Sequence, residues 1–196
     1  LHEPLKRAQR PRPGAGPAAS FARVSALVRA CSSVSNPIET RTSPPANVAI
    51  DHAMLERVDI LTPNETEFVA LLGRHVGARI EADAVCGIDQ QRLHAFCRDL
   101  THGTVIVTLG SSGCFVSHAA SNPRGDTTAC SRVPAESVRA VATTGAGDAF
   151  NGALAASLAL KPERSFAEHV RFAGRYASRS TELYGAALAM PRMPVE

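Results

Sequence analysis

From about residue 47 onward, short β-branched runs alternate with amphipathic helical stretches, which predicts an α/β layer fold. Three observations carry that reading. "TVIVTLG", following Gly103, is a continuous apolar run of the kind found in strands covered on both faces. "NETEFVALLG" opens with Asn64 and has Glu67 three residues on, the pattern of a helix that begins with a capping box. Two apolar helical stretches, about 148–160 and 165–181, follow a glycine-rich turn.

Taken in order, "VDIL" (58–61) is a short strand ended by Thr62-Pro63, and residues 64–73 form the capped helix. "QQRLHAFCRDL" (90–100) places Leu93, Phe96, Cys97 and Leu100 at helical spacing. "TVIVTLG" is the central strand, "SSG" turns, and "CFVS" is a second short strand. Residues 118–132 are polar, with Asn122-Pro123 and Gly125, and read as a surface hairpin or loop. "SVRAVATT" runs extended into "GAGD" and the first of the two apolar helices. Residues 1–43, rich in Arg, Pro, Ala, Gly and Ser, are expected to be poorly ordered or atypical, although "FARVSALVRACSSV" could form a short amphipathic helix. The start at Leu1 reads as processed or truncated.

Composition narrows the function classes. The 196 residues are 44% hydrophobic and 20% charged, suited to one globular domain, and no run reaches the ~18–20 apolar residues of a membrane span. A net charge of +3, no Trp and two Tyr argue against a nucleic-acid surface. Five widely spaced cysteines without a C-x-x-C pair fit reduced intracellular thiols better than a zinc site. The histidines His75, His94, His102 and His118 read as surface or half-buried residues with no assigned role.

The turn in "ATTGAGDAFNG" carries the chemistry. A helix start presents backbone N–H groups without internal partners and partial positive charge, and Gly145, Ala146 and Gly147 let an anion approach closely. Asp148 would repel a bound phosphate, so it suggests a second duty, such as taking a proton from a hydroxyl that attacks phosphorus. A plain turn followed by a dipole-stabilised Asp is the structural alternative. Neither a dinucleotide fingerprint nor a G-x-x-x-x-G-K-[ST] phosphate loop is present.

"VDILTPNETE", "VIVTLGSSGCFV", "ATTGAGDAFNG" and "GAALAMP" occur in that order, and together they resemble the ribokinase branch of the PfkB sugar-kinase family over roughly residues 44–192. The resemblance implies a doubly wound α/β sheet with helices on both faces, residues 44–196 being the C-terminal part of the kinase domain and the N-terminal lid sheet being absent. It implies an ATP-dependent carbohydrate kinase forming D-ribose 5-phosphate, with Asp148 as the catalytic base, and Gly145, Ala146 and Gly147 as the anion hole. Nucleotide contacts would come from Asn64, Thr108, Gly110, Ser111, Ser112, Gly113, Gly147 and Asp148, with Asp148 also touching the sugar and Glu67 holding Mg²⁺ through water. The partners implied are a sugar and ATP, in a cytoplasmic setting without nucleic acid or membrane, with a homodimer possible for a full-length form.

Ala142 and Ala189 stand where the family has side-chain oxygens for a monovalent cation, which implies weak or absent activation by potassium. "LHEPLK" resembles the segment before the fold's last third to half, with His2 where a sugar-contacting Glu is usual, and Gly174 replaces a family Asn or His near the adenine. Two other readings stay open: a catalytically inactive truncated paralogue or gene-model fragment that at most binds nucleotide, and another PfkB sugar or nucleoside kinase. A generic α/β binding domain is the reading from a different class.

Overall fold

The computed structural model describes residues 50–192, so the expectations for residues 1–43 lie outside the described residues. A four-stranded sheet has the order β1-β2-β3-β4, formed by β1 (Ile60–Leu61), β2 (Thr104–Thr108), β3 (Cys114–Ser117) and β4 (Cys130–Val133). The pair β1–β2 is parallel, with Ile60 opposite Thr104. The pairs β2–β3 and β3–β4 are antiparallel, with Val107 opposite Phe115 and Cys114 opposite Val133. Between β1 and β2 the chain crosses through α2 (Glu65–His75) and α3 (Gln90–Leu100), as a parallel pair requires. A short helix, α1 (His52–Arg57), precedes β1; the sequence reading did not anticipate it, although Asp51 caps it by accepting from the Met54 N–H at 2.8 Å.

The continuous apolar pattern of β2 has a direct cause, since its side chains alternate between two buried layers. Val105 and Val107, with Leu61 and Phe115, pack against Phe68, Leu71 and Leu72 of α2 and Leu93, Cys97 and Leu100 of α3. Ile106, with Ile60, Cys114 and Val116, joins Phe150, Ala153 and Leu154 of α4 (Ala146–Leu160) and Phe166, Val170 and Ala173 of α5 (Phe166–Ser180). Helices therefore cover both faces, as a doubly wound α/β sheet should have them. Each fully buried Leu or Phe in these layers contributes about 1.5–3 kcal/mol.

Helix starts follow local chemistry. Both halves of the box at α2 form, with the Glu67 N–H on Asn64 Oδ1 (2.9 Å) and the Asn64 N–H on Glu67 Oε2 (3.0 Å). Asp89 caps α3, accepting from the Gln91 and Arg92 N–H groups. Ser165 and Glu168 make a second box at α5.

Three expectations need correction. Residues 130–132, read within a surface hairpin or loop over 118–132, belong to β4, and Cys130 is buried. The strand read at 58–61 is only Ile60–Leu61, because Val58 and Asp59 still belong to the exit from α1. His118, expected at the surface or half-buried, is completely buried. Its Nδ1 accepts from Thr104 Oγ1 (3.0 Å) and its Nε2 donates to Asp126 Oδ2 (3.1 Å). Arg124, held at φ 52°, donates to Thr104 Oγ1 (3.0 Å) and to the Asp59 carbonyl (3.0 Å). Asp126 Oδ1 also accepts from the Ala167 N–H at the start of α5 (2.9 Å). The 118–129 connection thus folds polar side chains under the sheet, which is why a polar sequence there misled. Burial pushes the His118 imidazole below its usual range, against the pull of Asp126, and keeps the ring neutral.

Candidate active site

The parallel strands β1 and β2 end together, and the candidate residues of two motifs meet there. Pro63 O accepts the Thr108 N–H at 2.9 Å, and Asn64 and Thr108 form an isolated parallel bridge three residues beyond the last β1–β2 pair, Leu61 and Val105. Asn64, Glu67 and Thr108 are therefore neighbours at one edge, Asn64 and Glu67 joined in the capping box and both half-buried. Burial raises the Glu67 carboxyl above its usual range, only partly offset by the Asn64 N–H. A single carboxylate held by one backbone donor keeps its other oxygen for water, which suits a cation that stays largely hydrated.

The turn after β2 is built on glycine for a stated reason. Gly113 has φ 88°, and a Cβ there would stand 2.1 Å from the Val133 carbonyl. Leu109 and Gly113 close the turn with a 2.8 Å bond, leaving Gly110, Ser111 and Ser112 exposed beside Thr108. Because β4 ends opposite Cys114, the chain leaves the sheet at this same edge and runs extended toward α4.

Gly145 turns that chain into α4 through φ 86°. The Ala146 N–H bonds the Thr143 carbonyl (3.1 Å) and the Ala149 N–H bonds the Gly145 carbonyl (2.9 Å). Among the described residues no backbone acceptor meets the N–H groups of Gly147 and Asp148, and both residues are exposed. Nothing lies within 4 Å of where a Cβ on Gly147 would sit, so an anion has room to reach these donors. Among the described residues no hydrogen bond or ion pair joins Asp148 to Glu67. The Thr181 carbonyl, at the end of α5, accepts the N–H groups of both Val141 (2.7 Å) and Ala142 (3.0 Å), anchoring the approach to the turn. Ala142 and the buried Ala189 offer no side-chain oxygen, and Gly174 leaves open space in the middle of α5.

Other groups escaped the sequence reading. Asn151, one helical turn beyond Asp148, is buried with its Oδ1 unpartnered. Arg175 and Arg179 both approach Glu136; their spacing of four on one helix was visible in the sequence, but Glu136 lies far from them along the chain. Cys97 and Cys114 are buried, their thiols pushed up to about 12, and act as small apolar residues. Among the described residues no group of three or more His, Cys, Asp or Glu side chains could enclose a metal, and no helix is long and apolar enough to cross a membrane.

Fold and site together define an α/β domain whose helix start can receive an anion beside a carboxylate. The family model for pfkB family carbohydrate kinases matches residues 17–193, and the chain belongs to that family. It is 33% identical to a ribokinase of Haemophilus influenzae over 147 residues, covering 75% of this chain and 42% of that protein. The crystal structure of a ribokinase from Thermotoga maritima matches with a TM-score of 0.59 and 28% identity, over 76% of this chain and 44% of that one. A ribokinase of Arabidopsis thaliana, solved in complex with ribose and ATP, matches with a TM-score of 0.55 and 29% identity, over 72% of this chain and 40% of that one. The chain thus spans less than half the length of the curated relatives it matches.

Proposed function

We propose that this chain supplies the nucleotide-binding and proton-abstracting part of an ATP-dependent carbohydrate kinase whose acceptor is the primary hydroxyl of D-ribose. One observation carries the reading: an exposed carboxylate, Asp148, stands on the same helical turn as the unpartnered N–H groups of Gly147 and Asp148. ATP, when bound with Mg²⁺, supplies the phosphoryl group and the compensating positive charge. The chain's own residues do the rest. Asp148 accepts the proton of the attacking hydroxyl, and the Gly145–Ala146–Gly147 turn holds the charge that develops on the transferring group, in a geometry fixed before reaction.

Asn64, Thr108, Gly110, Ser111, Ser112 and Gly113 border the nucleotide, and Glu67 orients the water shell of the metal. That assignment fits a half-buried carboxylate with one oxygen free of the cap, at the edge where β1 and β2 end. The methyl groups of Ala142 and Ala189 predict weak or no activation by potassium. The protein acts in the cytoplasm, on a free sugar and ATP. ATP-dependent phosphorylation of ribose, followed by ADP release and abolished in Asp148→Asn, tests the reading. An unchanged rate in Asp148→Asn overturns the assignment of the base, and strong potassium dependence overturns the cation reading.

A further inference from the structure

The groove between α4 and α5 carries a charge pattern that the kinase reading leaves unused. Asp148 lines it together with Lys161, Arg164, Arg175, Arg179 and Arg192, five cations along one groove, of which Lys161 and Arg164 lie past the opposite end of α4 from Asp148. Phe172 and Tyr176, packed against the core beneath, form part of the same wall. Helices α4 and α5 are joined by residues 161–165 and pack along their lengths, so they run antiparallel. The C-terminal half of α5, with Arg175 and Arg179, therefore lies toward the N-terminal turn of α4, with Asp148.

An anion already occupies the arginines. Glu136, on the extended stretch after β4, sets Oε2 3.8 Å from Arg175 Nε and 3.7 Å from Arg179 Nε. Both separations exceed hydrogen-bond length, so one oxygen is shared loosely between two guanidinium groups, each about half exposed (49% and 47%). Two arginines four apart on a helix repel each other unless an anion sits between them. A phosphate, with more charge and three acceptor oxygens, matches two guanidinium forks better than a single carboxylate oxygen does.

We propose that Arg175 and Arg179 form a phosphate subsite in the groove that holds Asp148, with Glu136 as an internal placeholder that an incoming phosphate displaces. The ligand class is a phosphate ester or anhydride, borne either by a phosphorylated sugar acceptor or by the nucleotide. The subsite selects for ligands that carry such a group. Only its catalytic use rests on the kinase reading; binding does not.

The test is calorimetric titration of the 196-residue chain with MgATP and, separately, with ribose 5-phosphate as the sugar-phosphate probe. Binding of at least one probe should weaken ten-fold or more in Arg175→Gln/Arg179→Gln and tighten at least three-fold in Glu136→Gln. All three side chains are exposed, and circular dichroism of the variants is to match that of the parent chain before affinities are compared. Dependence seen with the sugar phosphate alone assigns the subsite to the acceptor, and dependence seen with MgATP assigns it to the nucleotide. Absence of binding by both probes, or affinities for both probes unchanged in either variant, overturns the subsite. Arginine-dependent binding without transfer that depends on Asp148 upholds the subsite and overturns the kinase reading. Transfer that depends on Asp148, with binding indifferent to the arginines, overturns the subsite alone.

Discussion

The two ends of the sheet treat polar groups in opposite ways. Where β2 begins and β3 ends, Thr104, His118, Arg124 and Asp126 are bonded to one another and to the Asp59 carbonyl and Ala167 N–H, which leaves none of these contacts open for a ligand. Where β1 and β2 end, Asn64 and Glu67 also satisfy each other, but the start of α4 leaves two N–H groups and a carboxylate facing solvent. The closed end holds the fold together, whereas the open end has unfilled hydrogen-bonding capacity. Perturbed ionisation alone would not separate them, since burial shifts His118 as well as Glu67. Accessibility of the donors does.

Breaking the open end should remove activity without touching stability. Asp148→Asn is expected to lower the transfer rate about 10³-fold or more while the unfolding midpoint in denaturant stays put. Breaking the turn after β2 at the same edge should act on stability itself. Gly113→Ala forces a side chain against the Val133 carbonyl at a positive φ, and is expected to destabilise the domain by about 3 kcal/mol, read from urea unfolding.

At the far end, His118→Ala should destabilise by about 2–3 kcal/mol, because it strands a buried carboxylate oxygen and a threonine hydroxyl. His118 also sets a pH dependence. Its folded pKa lies below the unfolded value near 6.5, so the unfolded chain binds the extra proton first as pH falls. Stability is therefore full above about pH 6.5 and declines below it, and His118→Ala should flatten that decline when unfolding is followed from pH 7.5 to 5. His94 and His169 shift in the same direction, also chiefly through burial, and leave a residual slope.

The smallest effect sharpens the comparison. Glu67→Gln should change stability by less than about 0.5 kcal/mol, since glutamine serves equally in the capping box, yet should weaken the Mg²⁺ dependence of ATP binding measured by titration. Because the folded pKa of Glu67 is raised, its contribution to stability is largest at low pH and shrinks as pH rises through the folded value; the glutamine variant lacks that slope.

Most of the architecture was legible because it follows from local rules. Helix α3 spans Gln90–Leu100, the range its apolar spacing predicts, and the α2 capping box needed only Asn64 and Glu67 to be three residues apart. The helix start at Gly145 was legible as a turn before an apolar run. The burial of His118 was not, since Asp126 and Arg124 approach it through an irregular connection that reads as solvent-facing. Likewise, nothing in the sequence says that Glu136 meets Arg175 and Arg179, because that contact depends on where the extended stretch runs after leaving β4. Sequence spacing reports neighbours on one element; it does not report which loop lands beside it.

The doubly bonded Thr181 carbonyl has a mechanical consequence. Two consecutive N–H groups, from Val141 and Ala142, hang on one oxygen at the end of α5, three residues before the Gly145 turn. A tilt or slide of α5 is therefore delivered to Asp148 from both sides, through its packing on α4 and through this tether. Asn64 and Glu67, fixed to β1 and α2, receive neither push. Pressing on α5 would thus change the spacing between Asp148 and the edge formed by Asn64 and Glu67, so the helix that carries Arg175 and Arg179 is also a handle on the start of α4.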